Sequence, residues 1–171
     1  MRDPGRAART RRPGAVAPAL APLGYRAPVL TVPQPFEDLG HVADVGVRVR
    51  GATAHEALGR LALALGTLLA GGAPVAPAEE ELLAVEGGPG LAGTAVALLR
   101  ELLYQFTARR VVVAAIEVLQ VDEVAAEARV RWAAWDPDVH GEGLDIKAVT
   151  WHLAMLEHVE GEWIGQAVFD I

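Results

Sequence analysis

Between Thr53 and Gly72 the chain writes a helix with both ends marked and an apolar stripe that the helix cannot cover by itself. Thr53-Ala-His-Glu56 is a capping box: the Thr53 hydroxyl can accept from the Glu56 amide while the Glu56 carboxylate reaches back to the start of the helix. Leu58, Leu61, Leu65, Leu68 and Leu69 follow at spacings of three and four, which places them on one side. Gly71-Gly72 supplies the left-handed backbone that ends a helix. Such a helix is stable only when packed, so the rest of the chain must supply a surface. A second helix spans about 92–106, after the turn Gly87-Gly-Pro-Gly90, and carries Val96, Leu99, Leu103 and Phe106 on one stripe.

The surface is a sheet. Residues 45–49 alternate apolar and other residues as a half-buried strand does. A strand near 80–85 precedes the second helix. Val111 to Val121 is β-branched and apolar, and Glu123 to Trp132 alternates as its hairpin partner. Residues 135–145 are a polar loop rich in turn formers. Ile146 to Val159 is a strand region, and Trp163 to Phe169 is a last strand joined to it by a turn at Glu160-Gly161. The expectation is an α+β single domain: a mostly antiparallel sheet of about six strands with the two amphipathic helices packed on one face. With 52% hydrophobic and 22% charged residues the chain can fill that core, and whole-chain disorder is excluded.

The domain is expected to span 35–171, with order beginning near Phe36. Residues 1–34 hold Pro4, Pro13, Pro18, Pro22, Pro28 and Pro33 and no helical or strand period, and read as a disordered Arg/Pro/Ala-rich arm. An RNA-touching tail, a functionless extension and an upstream start codon are the alternatives for it. A signal peptide is not indicated, because residues 15–21 are short and broken by Pro18. No run reaches the roughly 18 apolar residues of a membrane span.

Composition removes several chemistries. Cysteine is absent, which excludes disulfides, thiolate nucleophiles, Cys-ligated zinc and iron–sulfur clusters. Serine is absent too, and there is no phosphate-binding loop and no nucleophile elbow. Residues 1–34 carry six arginines against Asp3 alone, a net +5. Residues 35–171 carry nine basic and 21 acidic residues, a net −12. A body so acidic lacks the basic face of a general nucleic-acid binder and suits a cation or a basic partner.

Two groups of residues could carry chemistry. His41-Val-Ala-Asp44 precedes the first strand, and the chain finishes Phe169-Asp170-Ile171. If the first and last strands are neighbours, Asp44, Asp170 and the carboxylate of Ile171 converge as an oxygen set for Ca²⁺ or Mg²⁺. Otherwise Asp44 bonds turn amides and the end is solvated. The second group is Asp136, Asp138, His140, Glu142, Asp145, Lys147 and His152. Acidic loops are usually solvated surface. Lys147 is the one lysine in the chain, a charge held for a phosphate or partner, or else a surface ion pair.

In order along the chain, Leu-Gly-His41-Val-Ala-Asp44-Val-Gly, Arg100-Glu-Leu-Leu-Tyr-Gln-Phe106, Trp135-Asp-Pro-Asp-Val-His140 running on to Asp145-Ile-Lys147-Ala-Val-Thr-Trp-His152, and Val168-Phe-Asp-Ile171 resemble the archease family from about Phe36 to Ile171. Four blocks together are specific, though none is alone. Gly40 and Val42 stand where the family has Asp and Thr, Asp145-Ile where it has Glu-Val, and Trp151 where it has Tyr.

The resemblance implies a cytoplasmic accessory protein rather than a stand-alone enzyme. Archeases assist the tRNA-splicing ligase RtcB, promoting GTP-dependent guanylylation of its histidine and repeated turnover. It implies a metal site at Asp44, Asp170 and Ile171, taking Ca²⁺ or Mg²⁺. It implies ligase or nucleotide contacts at His41, Asp145, Lys147 and His152, with RNA met only through the ligase and no membrane. The alternative is a metal-dependent hydrolase or nuclease acting alone, with Asp44 and Asp170 as ligands and His152 as base. A third possibility is a general chaperone-like module.

Overall fold

The computed structural model describes residues 21–22, 24–40, 44–72, 76–140 and 143–171. In order these form β1 (Leu30–Thr31), β2 (Glu37–Asp38), β3 (Asp44–Gly51), α1 (Ala54–Leu69), β4 (Glu79–Glu86), α2 (Gly90–Arg109), β5 (Val111–Val121), β6 (Ala125–Ala134), α3 (Pro137–His140), β7 (Ala148–Val149), β8 (Met155–Val159) and β9 (Glu162–Asp170). The α+β class holds, and every strand pairing is antiparallel.

The strands form two sheets rather than the one of about six expected. One has the order β1-β5-β6-β4. The other has β2-β3-β9, with β7 and β8 both on the far side of β9. The two helices touch both sheets, α1 meeting β5 and β1 of the first and β3, β9 and β8 of the second. The cause lies in α1, whose apolar surface is wider than a single stripe and leaves only the edge of Glu56, Arg60 and Thr67 polar. Ala62, Leu63 and Ala64 are buried alongside Leu58, Leu61 and Leu65. An apolar surface that wide needs cover on more than one side. Gly66 and Gly165 let the layers close: a Cβ on Gly66 would fall 2.7 Å from the Val113 carbonyl oxygen, and one on Gly165 would fall 2.9 Å from Leu61 Cδ1.

Local chemistry sets the helix ends as read from the sequence. Thr53 Oγ1 accepts from the Glu56 amide at 3.1 Å. The Glu56 carboxylate reaches back one residue further than expected, to the Ala52 amide at 2.9 Å. At the other end Gly71 and Gly72 have positive φ, and the Gly72 and Gly71 amides donate to the Thr67 and Leu68 carbonyls at 2.9 and 3.4 Å, a Schellman motif. Arg109 ties α2 to β4 through Glu79 and Glu81. Its hydrogen bond to Glu81 holds that carboxyl below the ordinary carboxylate value.

The expected strand 146–159 is interrupted. β7 and β8 pair with the same edge of β9, β7 at residues 169–170 and β8 at 162–166. Between them Leu153 takes φ 53°, and its carbonyl accepts from Gln166 Nε2 at 2.8 Å. The polar loop 135–145 contains the short α3.

Ordered backbone begins upstream of the boundary expected at residue 35. Leu30 and Thr31 pair with Ile116 and Ala115, and the Val32 amide donates to the Ala114 carbonyl at 3.1 Å. The Tyr25 hydroxyl accepts from Thr53 Oγ1 at 3.0 Å, and its ring lies 5.4 Å from that of His55. A two-residue strand among prolines has no period to betray it. Residues 1–20 lie outside the described residues. Because residues 1–20 carry no helical or strand period, deleting them is expected to leave the melting temperature unchanged, whereas deleting 1–34 removes sheet bonds and the Leu30 contact and costs about 2 kcal/mol. Thermal melts of the two truncations check this. Equal melting temperatures would show that the β1 pairing contributes nothing.

Candidate functional site

β9 runs through the middle of the second sheet because its residues 163–169 are buried on both faces, which demands neighbours on each side. Its register with β3 is unbroken from Trp163 opposite Gly51 to Asp170 opposite Asp44. Asp44, the first residue of β3, and Asp170, the last of β9, are thus direct partners. Directly opposed residues have Cα atoms about 4.5–5.5 Å apart and side chains on the same face. On the other side Ala148 opposes Asp170, and the Lys147 amide donates to the Asp170 carbonyl at 2.8 Å. One end of the sheet therefore gathers β3, β9 and β7 with two carboxylates between them and Ile171 beyond.

Asp44 is half-buried, Asp170 and Ile171 are exposed, and neither aspartate forms an ion pair among the described residues. Like charges directly opposite one another destabilise a strand pair. Among the described residues no three His, Cys, Asp or Glu side chains are gathered as for a metal ion. The donors here are two side-chain carboxylates plus main-chain oxygen. That chemistry fits Ca²⁺ or Mg²⁺, which take carboxylates, carbonyls and water, and does not fit tetrahedral zinc.

The other expected contact residues are dispersed around this end. His41 lies outside the described residues; upstream of it the Leu39 amide donates to the Gly46 carbonyl at 2.8 Å. Lys147 is exposed immediately before β7. His152 is exposed in the turn after it, its amide bonded to Thr150 Oγ1 at 3.2 Å. Asp145 is exposed and lines, with Arg110 and Trp135, a separate cavity of ≈ 240 Å³. The loop acids are engaged locally: the Asp136 carboxylate accepts from the Asp138 amide, and the Asp136 amide donates to His140 Nδ1, both at 2.9 Å. Glu142 lies outside the described residues.

One positioning residue escaped the sequence reading. Arg100, the one basic residue between Gly90 and Ala108 of α2, donates from Nε to the Val149 carbonyl at 3.0 Å. Its guanidinium sits 5.3 Å from the centre of the Trp151 ring. It fastens the 147–152 segment to α2. A single basic residue inside a largely apolar run of helix was the available signal.

Residues 36–171 match the model of the Archease protein family. Two curated relatives, each named Protein archease, are those of Methanopyrus kandleri, 31% identical over 144 residues covering 80% of this chain and 99% of its own, and of Methanosarcina mazei, 32% identical over 141 residues covering 80% and 95%. The solution structure of a Methanobacterium thermoautotrophicum protein superposes with a TM-score of 0.61 over 80% of this chain and 98% of its own; at 20% identity it bears on the fold alone.

Proposed function

This chain belongs to the archease family, and on that premise we propose that it is a non-enzymatic accessory protein of an RtcB-type RNA ligase, promoting the ligase's GTP-dependent guanylylation and its repeated turnover in the cytoplasm. RNA is reached only through the ligase. The opposition of Asp44 and Asp170 at the end of β3 and β9 carries this proposal. Two carboxylates at adjacent strand positions repel unless something positive lies between them. A Ca²⁺ or Mg²⁺ ion held by Asp44, Asp170 and the Ile171 carboxylate would supply that charge. Lys147 and His152, exposed on the flank, are offered to the ligase or its nucleotide. No helix among the described residues is long and apolar enough to cross a membrane.

A guanylylation assay tests the proposal: ligase and GTP with and without this protein, followed by multiple-turnover joining of RNA ends. The expected result is faster guanylylation and more than one turnover per ligase. An unchanged ligase would overturn the proposal. Cleavage of RNA by this protein alone with Mg²⁺ or Mn²⁺ would favour a hydrolase instead.

A further inference from the structure

A second concave site lies near the other end of β3, about 20 Å from Asp44 at the usual strand rise. It is a cavity of ≈ 300 Å³ whose wall includes Phe36, Glu37, Arg48, Arg50 and Arg60. The acidic body has only nine basic residues, and three of them meet here. Arg48 and Arg50 are two apart on β3 and share a face, while Arg60 comes from α1 and donates from Nη1 to the Arg50 carbonyl at 2.7 Å.

Arg48 and Arg50 are loosely satisfied, whereas Arg60 is held in place at the cavity wall. Arg48 gives Nε and Nη2 to a neutral acceptor, Gln166 Oε1, at 2.9 and 2.7 Å, and the Glu37 carboxylate stands 3.8 Å away. Arg50 pairs with Glu162 at 2.9 Å, but both side chains are more than half exposed, where an ion pair contributes little. Arg60 pairs with Glu56 at 2.6 Å through Nη2, and its Nε is buried with no acceptor among the described residues. That buried nitrogen is out of a ligand's reach; what a ligand supplying oxygens meets here are the exposed edges of Arg48 and Arg50, whose present pairs are a neutral amide oxygen, a carboxylate 3.8 Å away and an exposed ion pair.

We propose that this cavity binds the phosphate group of a nucleotide, with Arg48, Arg50 and Arg60 as the anion contacts and Phe36 as the wall against which the base lies. Guanidinium forks match phosphate oxygens in geometry and charge. An aromatic ring takes the face of any base. The volume, at the lower limit of about 300 Å³ for small-molecule pockets, suits a mononucleotide. The site is separate from the carboxylate end and does not rest on the ligase assignment.

Titration of the full-length protein with inorganic phosphate and with adenosine monophosphate, followed by calorimetry, tests it. Saturable binding of both is expected, weakened about tenfold by Arg50→Gln and by Arg60→Gln, since each removes one charge-assisted contact. Arg129→Gln, on the other sheet, should leave binding unchanged. Arg50 is exposed enough that its variant folds, and circular dichroism confirms it. Tighter binding of the nucleotide than of phosphate, lost in Phe36→Leu, identifies the nucleotide as the source. Equal affinities identify free phosphate. Absence of saturable binding, or equal affinity in the two arginine variants and the parent, overturns the site.

Discussion

Asp44→Asn is expected to abolish the calcium-dependent rise in melting temperature while leaving the metal-free protein at least as stable as the parent. A ligand present at 100 times its Kd stabilises a fold by about 2.7 kcal/mol, which for a chain of this size is about 5–10 °C. The asparagine keeps the shape and the strand pairing with Asp170 but removes one of the two opposed charges. Without metal the substitution therefore relieves a like-charge pair rather than breaking an attractive one. Asp170→Asn should behave in the same way, and a tag added after Ile171 should weaken the calcium response by displacing the carboxylate there. Differential scanning calorimetry with and without CaCl₂ reads all three. A full calcium shift retained in Asp44→Asn would remove Asp44 from the metal site, whatever the ligase assay shows.

Leu65→Ala is expected to cost about 2–5 kcal/mol, the range for a leucine removed from a core that cannot collapse into the space. Leu65 is fully buried in α1, between two sheets whose positions are fixed by their own ladders. Leu82→Ala is the matched control. That leucine is 59% exposed on β4, and its loss should stay within about 0.5 kcal/mol. Urea titration of the two variants gives the comparison. A neutral Leu65→Ala would mean that α1 is not held between the sheets.

What could be read from sequence was whatever is encoded within one element. The cap at Thr53, the stop at Gly71-Gly72, the burial of Leu61, Leu65, Leu99 and Trp163 and the hairpin at Glu160-Gly161 all depend on residues a few positions apart. The division into two sheets does not. Periodicity tells a strand which face is apolar and says nothing of which strand lies beside it. The one clue was in α1, where alanines flank the leucines and widen the apolar surface until only the edge of Glu56, Arg60 and Thr67 is polar. The pairing of Asp44 with Asp170 was conditional on two strands being neighbours, and only the long β3–β9 register settles that. The same register brings Gln166 to Arg48, 118 residues away in sequence, and so shapes the arginine cavity. No local pattern contains such a contact. Residues 30–31 were hidden for the opposite reason, being too short to have a pattern.

The central place of β9 has a consequence for biosynthesis. A chain emerging from the ribosome can complete α1, α2 and the sheet of β4, β5 and β6 from residues already made, and domains tend to fold in that N-to-C order. The sheet that carries the candidate metal site cannot close in the same way. Among the described residues β3, β7 and β8 are joined to one another only through residues 162–170, so β3 must wait, half of its pairing partners missing, until residues 162–170 have emerged. Both aspartates are therefore brought together only after α1, α2 and the first sheet can have formed. A nascent chain stalled before residue 162 would hold α1 with one of its two covers, its apolar second side open to chaperones.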